Sequence, residues 1–177
     1  LMRIGIVSPY SLTVPGGVQA QVLGLARELR RRGHETRVLG PCVGPPPESF
    51  IPPLGDPLRL SANGSVAPIA PDPSAALRTL RVLNDEQFDV IHLHEPLAPG
   101  PTSTALMVHR APTVGTFHMA GTSASYRILR PALSRLITRI DHKVVVSKDA
   151  LALVERYLGG EYEVLFNGVE LDEIRSA

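Results

Sequence analysis

Met2-Arg3-Ile4-Gly5-Ile6-Val7-Ser8-Pro9-Tyr10 opens the chain with a short run that is apolar on both faces, as a strand buried inside a parallel sheet must be. Residues 18–32 follow with helical spacing, because Val18, Val22, Leu25 and Leu29 fall on one stripe. Gly33 stands where the end of a helix wants a residue without Cβ, and residues 36–39 read as a second strand. The alternation continues outward. Residues 58–62 predict a third strand, 89–93 a fourth, 113–117 a fifth, 143–146 a sixth and 162–166 a last. Helices are expected over 74–86, 102–110, 125–140 (kinked or restarted at Pro131) and 149–158, with an irregular Pro- and Gly-rich loop over 41–57. The pattern is that of an α/β protein with a doubly wound parallel sheet of about seven strands, one domain over residues 1–177. The chain stops soon after that sheet is complete, which suggests one domain of a larger protein.

Composition narrows the function. The 177 residues are 44% hydrophobic and 20% charged, which fits a packed core and excludes a disordered chain. Cys42 is the only cysteine, so no internal disulfide forms and zinc sites built on two or more cysteines are excluded. The net charge of +1, 5% aromatic content and absence of Trp give neither the field nor the stacking platforms of a nucleic-acid binder. No apolar run reaches the roughly 18–20 residues of a membrane span, and the start of the chain lacks a secretory layout. The expected location is cytoplasmic.

In open α/β sheets ligands sit beyond the carboxyl ends of the strands. The residues that follow the predicted strands are polar or glycine: Tyr10 and Pro15-Gly16-Gly17, Asn63-Gly64-Ser65, His94-Glu95-Pro96, His118, Ser147 and Asn167-Gly168. Gly16 and Gly17 open a helix, where exposed N–H groups suit a phosphate or sugar hydroxyl; the commoner role of such a pair is a tight turn. Neither Gly-x-Gly-x-x-Gly nor the P-loop pattern is present there, and no Gly-x-Ser-x-Gly elbow occurs. His92 and His94 share one strand face, and with Glu95 they suggest a metal cluster; hydrogen-bonded core histidines are the stronger reading, and no metal is expected. His118, directly after an apolar strand, is placed either to hydrogen-bond a substrate oxygen or to close a strand end. Arg127, Arg130, Arg135 and Arg139 lie on a helix whose other face carries Ile128, Leu129, Leu133, Leu136, Ile137 and Ile140. Such a face solvates a surface helix or rests on an anionic membrane, and the first is commoner.

Taken together, Met2–Tyr10 with Pro15-Gly16-Gly17-Val18-Gln19, Gly33-His34-Glu35, Asn63-Gly64-Ser65-Val66, Asp89-Val90-Ile91-His92-Leu93-His94-Glu95-Pro96, Thr116-Phe117-His118, Val146-Ser147 and Asn167-Gly168-Val169-Glu170 resemble the retaining GT-B glycosyltransferases of family four, most closely the actinobacterial phosphatidylinositol mannosyltransferases. The resemblance implies the Rossmann-like, acceptor-side half of a two-domain enzyme whose donor-binding half is absent from this chain. It implies a hexose moved with retained configuration, mannose from GDP-mannose as donor substrate, and a lipid-linked or polyol acceptor such as phosphatidylinositol. It implies no cofactor, no metal, no nucleic acid, and peripheral contact with the inner face of the plasma membrane. By the same resemblance Gly16 and Gly17 approach the donor, His118 sits beside the transferred sugar, Tyr10, Gln19, Asn63 and Ser65 line the acceptor side, and Glu95 orients a loop. Three positions depart from the pattern: Pro68 replaces an arginine, Ser123 a lysine and Thr13 an aspartate. Those charges would have gripped an inositol phosphate. A different reading of the same rim is a non-catalytic sugar- or nucleotide-binding module, complete at this length.

Overall fold

The computed structural model describes residues 1–54, 59–62, 65–68 and 73–169, the second and third of these as backbone. The elements run β1 (Arg3–Val7), α1 (Gly17–Arg31), β2 (Glu35–Leu39), β3 (Arg59–Ala62), β4 (Ser65–Pro68), α2 (Pro73–Glu86), β5 (Val90–His94), α3 (Pro101–Val108), β6 (Thr113–Phe117), α4 (Ala124–Leu136), β7 (His142–Val145), α5 (Lys148–Tyr157) and β8 (Glu163–Val164). Six strands form one sheet in the order β2-β1-β5-β6-β7-β8, every pair parallel. This is the doubly wound, Rossmann-like architecture. The chain leaves β1 in one direction toward β2 and then returns past it to build β5 through β8. The reversal puts the topological switch between β1 and β5, where such sheets open a crevice at their carboxyl ends.

The strand expected over 58–62 is the exception. Arg59–Ala62 pairs antiparallel with Ser65–Pro68 as a separate two-stranded unit, so the parallel sheet has six strands rather than about seven. The last strand is also shorter than the apolar run around it, because only Glu163 and Val164 find partners on β7.

Two cores follow from the winding. On one face Ile4, Ile6 and Val38 pack with Val22, Leu23 and Ala26 of α1, closed by Phe50 and Ile51 of the irregular loop. On the other, Val7, Leu39, Ile91, Leu93, Phe117 and Val145 pack with Leu83 of α2, Leu106 of α3, Leu133 of α4 and Leu153 and Val154 of α5. Each such aliphatic side chain contributes about 1.5–3 kcal/mol by burial. Gly33 ends α1 at φ +91°, a torsion that side chains with a Cβ rarely adopt. The helix after β6 continues through Pro131 as one element and tightens into a 3₁₀ turn at Ile137–Arg139, so of the two expected outcomes at that proline, kink or restart, the restart does not occur. In its N-terminal half Tyr126 is buried in the core, while Ile128 is 71% and Leu129 51% exposed, in solvent with the arginines whose opposite face they were expected to form.

Candidate functional site at the carboxyl rim

Register fixes the centre of the site. His92 lies beside Ile6 of β1 and Val114 of β6, and His94 lies beside Thr116. Side chains alternate along a strand, so His92, His94, Thr116 and the residue two beyond it, His118, come to one face. The contacts follow. His92 Nε2 is 2.7 Å from Thr116 Oγ1, and His94 Nδ1 is 2.8 Å from His118 Nε2. The rings lie in series, His92 tilted by 30° against His94 with centroids 4.4 Å apart and His94 stacked on His118 with centroids 5.1 Å apart.

Glu95 follows β5 directly and is 1% exposed. Its Oε1 accepts from the backbone N–H groups of His118 and Met119, each at 2.5 Å. The carboxylate therefore pins the loop that carries His118, the role expected for it. Its own backbone donates to the Thr116 carbonyl at 2.8 Å and adopts φ +47°, a left-handed torsion costing about 1 kcal/mol for a residue with Cβ. Glu95→Ala is expected to leave both amides without an acceptor and to speed their hydrogen exchange roughly tenfold or more, whereas Glu95→Gln keeps an acceptor oxygen and much of the protection. Amide exchange followed by NMR measures it; equal protection at His118 and Met119 in wild type and Glu95→Ala would remove the carboxylate from this role.

Burial sets the electrostatics. It raises Glu95 to about 7, against the pull of the two N–H groups that favour its charged form. It lowers His92 to about 4, helped by His118, and lowers His118 itself to about 4. His94 is pushed well below the ordinary imidazole value by burial and then by His92 and His118. All three rings are thus neutral at pH 7. Burial and the Glu95 charge push Tyr10 up to about 12, and burial with the charges of Glu95 and Tyr10 raises Tyr126. These couplings bring Tyr10 and Tyr126 to the neighbourhood of Glu95. Nothing in the sequence pattern singled out Tyr126, because it reads only as one apolar position of a helix.

The remaining candidates divide. Gly16 takes the N-cap position of α1 with extended backbone, no side chain caps the helix, and a Cβ built on Gly16 or Gly17 would meet no atom within 4 Å. Neither torsion nor crowding inside the chain therefore demands glycine at Gly16, and crowding does not demand it at Gly17. Gln19 uses its amide to hold the Leu12 carbonyl at 3.2 Å, tying down the loop that carries Tyr10. Asn63 lies outside the described residues, and Ser65 begins β4, off the parallel sheet. Ser147 caps α5 by accepting from Ala150 N–H at 3.0 Å. Beyond β8 the Gly168 carbonyl accepts from the Gln21 amide of α1, so the segment after that strand reaches the first turns of that helix.

Two of the three departures have structural work. Thr13 Oγ1 accepts from the Val43 N–H at 2.8 Å, and Ser123 Oγ caps α4 by accepting from Tyr126 N–H at 3.1 Å. Among the described residues no group of three or more His, Cys, Asp or Glu is arranged to hold a metal ion, and no helix is long and apolar enough to cross a membrane. His92 and His94 point their ring nitrogens at Thr116 and His118 instead.

Residues 15–173 match the profile of Glycosyltransferase Family 4. A phosphatidyl-myo-inositol mannosyltransferase of Mycobacterium leprae is 40% identical over 184 residues, covering 99% of this chain and 48% of that protein. One from Propionibacterium freudenreichii is 36% identical over 180 residues, covering 96% and 47%. The chain thus spans about half the length of these relatives. Among solved structures, sucrose-phosphate synthase from Thermosynechococcus elongatus superposes with a TM-score of 0.66 at 13% identity, over 97% of this chain and 49% of that one, a likeness of fold.

Proposed function

Because this chain belongs to Glycosyltransferase Family 4, we propose that it is the acceptor-side domain of a retaining mannosyltransferase that uses GDP-mannose and delivers the sugar to an inositol-bearing lipid. The observation that carries the reading is the likeness, along nearly the whole chain, to proteins named phosphatidyl-myo-inositol mannosyltransferase. The rim suits the chemistry. Gly16 and Gly17 leave the start of α1 open to a diphosphate. His118 offers a neutral imidazole at the mouth of the crevice, where hydrogen bonding to sugar oxygens stabilises charge that develops during transfer. Tyr10 and Gln19, with Asn63 and Ser65, are assigned to the acceptor. No protein nucleophile is required if the donor phosphate takes the acceptor proton, and no metal takes part.

Thr13 and Ser123 spend their hydroxyls on the backbone, so the lipid phosphate needs another grip. Exposed Ile128 and Leu129 between Arg127 and Arg130 supply an apolar edge flanked by positive charge, a combination that rests on an anionic bilayer. The test is a screen of nucleotide sugars against lipid and polyol acceptors with the full-length protein, followed by product analysis. The expected product is an inositol lipid carrying one mannose in the donor's anomeric configuration. An inverted product, transfer to free polyols alone, or no transfer from any nucleotide sugar would each overturn the proposal.

A further inference from the structure

The hydrogen bond between two neutral imidazoles allows only one proton between them, and the surroundings decide which ring owns it. His94 is 3% exposed, and its Nδ1 faces His118 Nε2 at 2.8 Å. Its other nitrogen, Nε2, is buried with no hydrogen-bond partner. If His118 donated from Nε2, His94 would have to accept at Nδ1 and carry its own hydrogen on Nε2, leaving a buried N–H bound to nothing. If His94 donates from Nδ1, Nε2 is a bare lone pair. An orphaned buried donor is the rarer and costlier of the two.

We propose that His94 is a positioning residue that locks the tautomer of His118: His94 donates from Nδ1, His118 accepts at Nε2, and His118 therefore presents Nδ1–H, a hydrogen-bond donor and not a base, to whatever occupies the rim. The ligand class follows. His118 selects an oxygen lone pair, such as a hexose hydroxyl, and does not abstract a proton from it. His92 supports the lock from behind, since its ring lies against His94 with centroids 4.4 Å apart and is itself tied to Thr116 Oγ1. The statement about the sugar rests on the function proposed above; the statement about the nitrogens does not.

Long-range proton–nitrogen NMR on this chain at pH 7 reads the nitrogens directly. The expected spectrum shows Nδ1 protonated and Nε2 bare in both His94 and His118. A His118 protonated at Nε2 would overturn the lock, whatever the protein does to sugars. In the full-length protein, His94→Leu removes the donor and His94→Asn restores an amide N–H near the place of Nδ1–H. His94→Leu is expected to lower kcat roughly ten- to a hundredfold with little change in donor KM, and His94→Asn to recover at least part of it. Equal losses in the two variants, with both folded, would reduce His94 to a packing residue. Failure of His94→Leu to fold leaves the wild-type spectrum as the deciding measurement, and a protein that transfers no sugar overturns the functional reading while the nitrogen assignment stands or falls on its own.

Discussion

His118→Ala in the full-length protein is expected to cut sugar transfer by roughly 10²–10³-fold while nucleotide binding persists, the usual loss when one preorganised donor is taken from a transition state. The substitution is informative because the loop does not depend on the side chain. Glu95 holds the backbone N–H groups of His118 and Met119, and those bonds survive truncation to the Cβ. What disappears is the ring that receives His94 Nδ1. Thermal melts with the variant control for the buried partner left behind, which costs about 1–3 kcal/mol. Turnover within a few fold of wild type would take His118 out of the reaction, and loss of nucleotide binding would move it from the sugar to the donor's other end.

The second large effect is acid instability. His92 and His118 sit at about 4 in the fold and near 6.5 when unfolded. Between those values the unfolded chain binds protons that the native state refuses, so stability falls as the pH falls, by about 3 kcal/mol for each ring. His94 acts in the same direction. Glu95 acts in the opposite one. Its folded value of about 7 exceeds the ordinary 4.5, so the native state takes up a proton first and gains up to about 3 kcal/mol as the pH drops through that window. The histidines outnumber it. The expected net result is a loss of about 3 kcal/mol or more from pH 6.5 to pH 4, read from urea unfolding midpoints at several pH values. Glu95→Gln deletes the compensating term, so its stability should exceed wild type most at pH 8 and should fall more steeply with acid. A wild-type midpoint that holds steady or rises from pH 6.5 to pH 4.5 would contradict this account of the three rings.

Much of this was legible in the residues. Strands β1, β5 and β6 announce themselves as short, largely apolar runs because both sheet faces are covered, whereas β2 and β7 show only in their apolar second halves, Val38-Leu39 and Val144-Val145. The 58–62 run failed for a physical reason. Asn63-Gly64 between two short segments is a strong sequence signal for a hairpin, and it competes with the reading of the same residues as a ligand-facing strand end. Leu129 shares a helical stripe with Leu133 four residues on, yet a stripe cannot say which of its side chains the core covers. At the site, the position of His118 directly after a strand is visible in the residues alone, whereas the loop-orienting role of Glu95 enters only through the family resemblance. The His94–His118 bond enters through neither, because it needs the register of β5 on β6, which sets His94 opposite Thr116. Thr13 and Ser123 were legible only as missing charges; that their hydroxyls hold the backbone required coordinates.

The left-handed torsion at Glu95 carries a warning for anyone breeding a heat-tolerant form of this protein. Glycine at that position would relieve the twist in the main chain, but it would strand the two amides on either side of the His118 carbonyl and hollow out a filled spot. Glutamine is the change that a screen for hardiness at alkaline pH would favour, because it drops the ionisable group and keeps an acceptor oxygen. Relaxing the backbone and keeping the rim ordered thus pull apart at position 95, which should keep a side chain with an acceptor oxygen while the rest of the scaffold is improved.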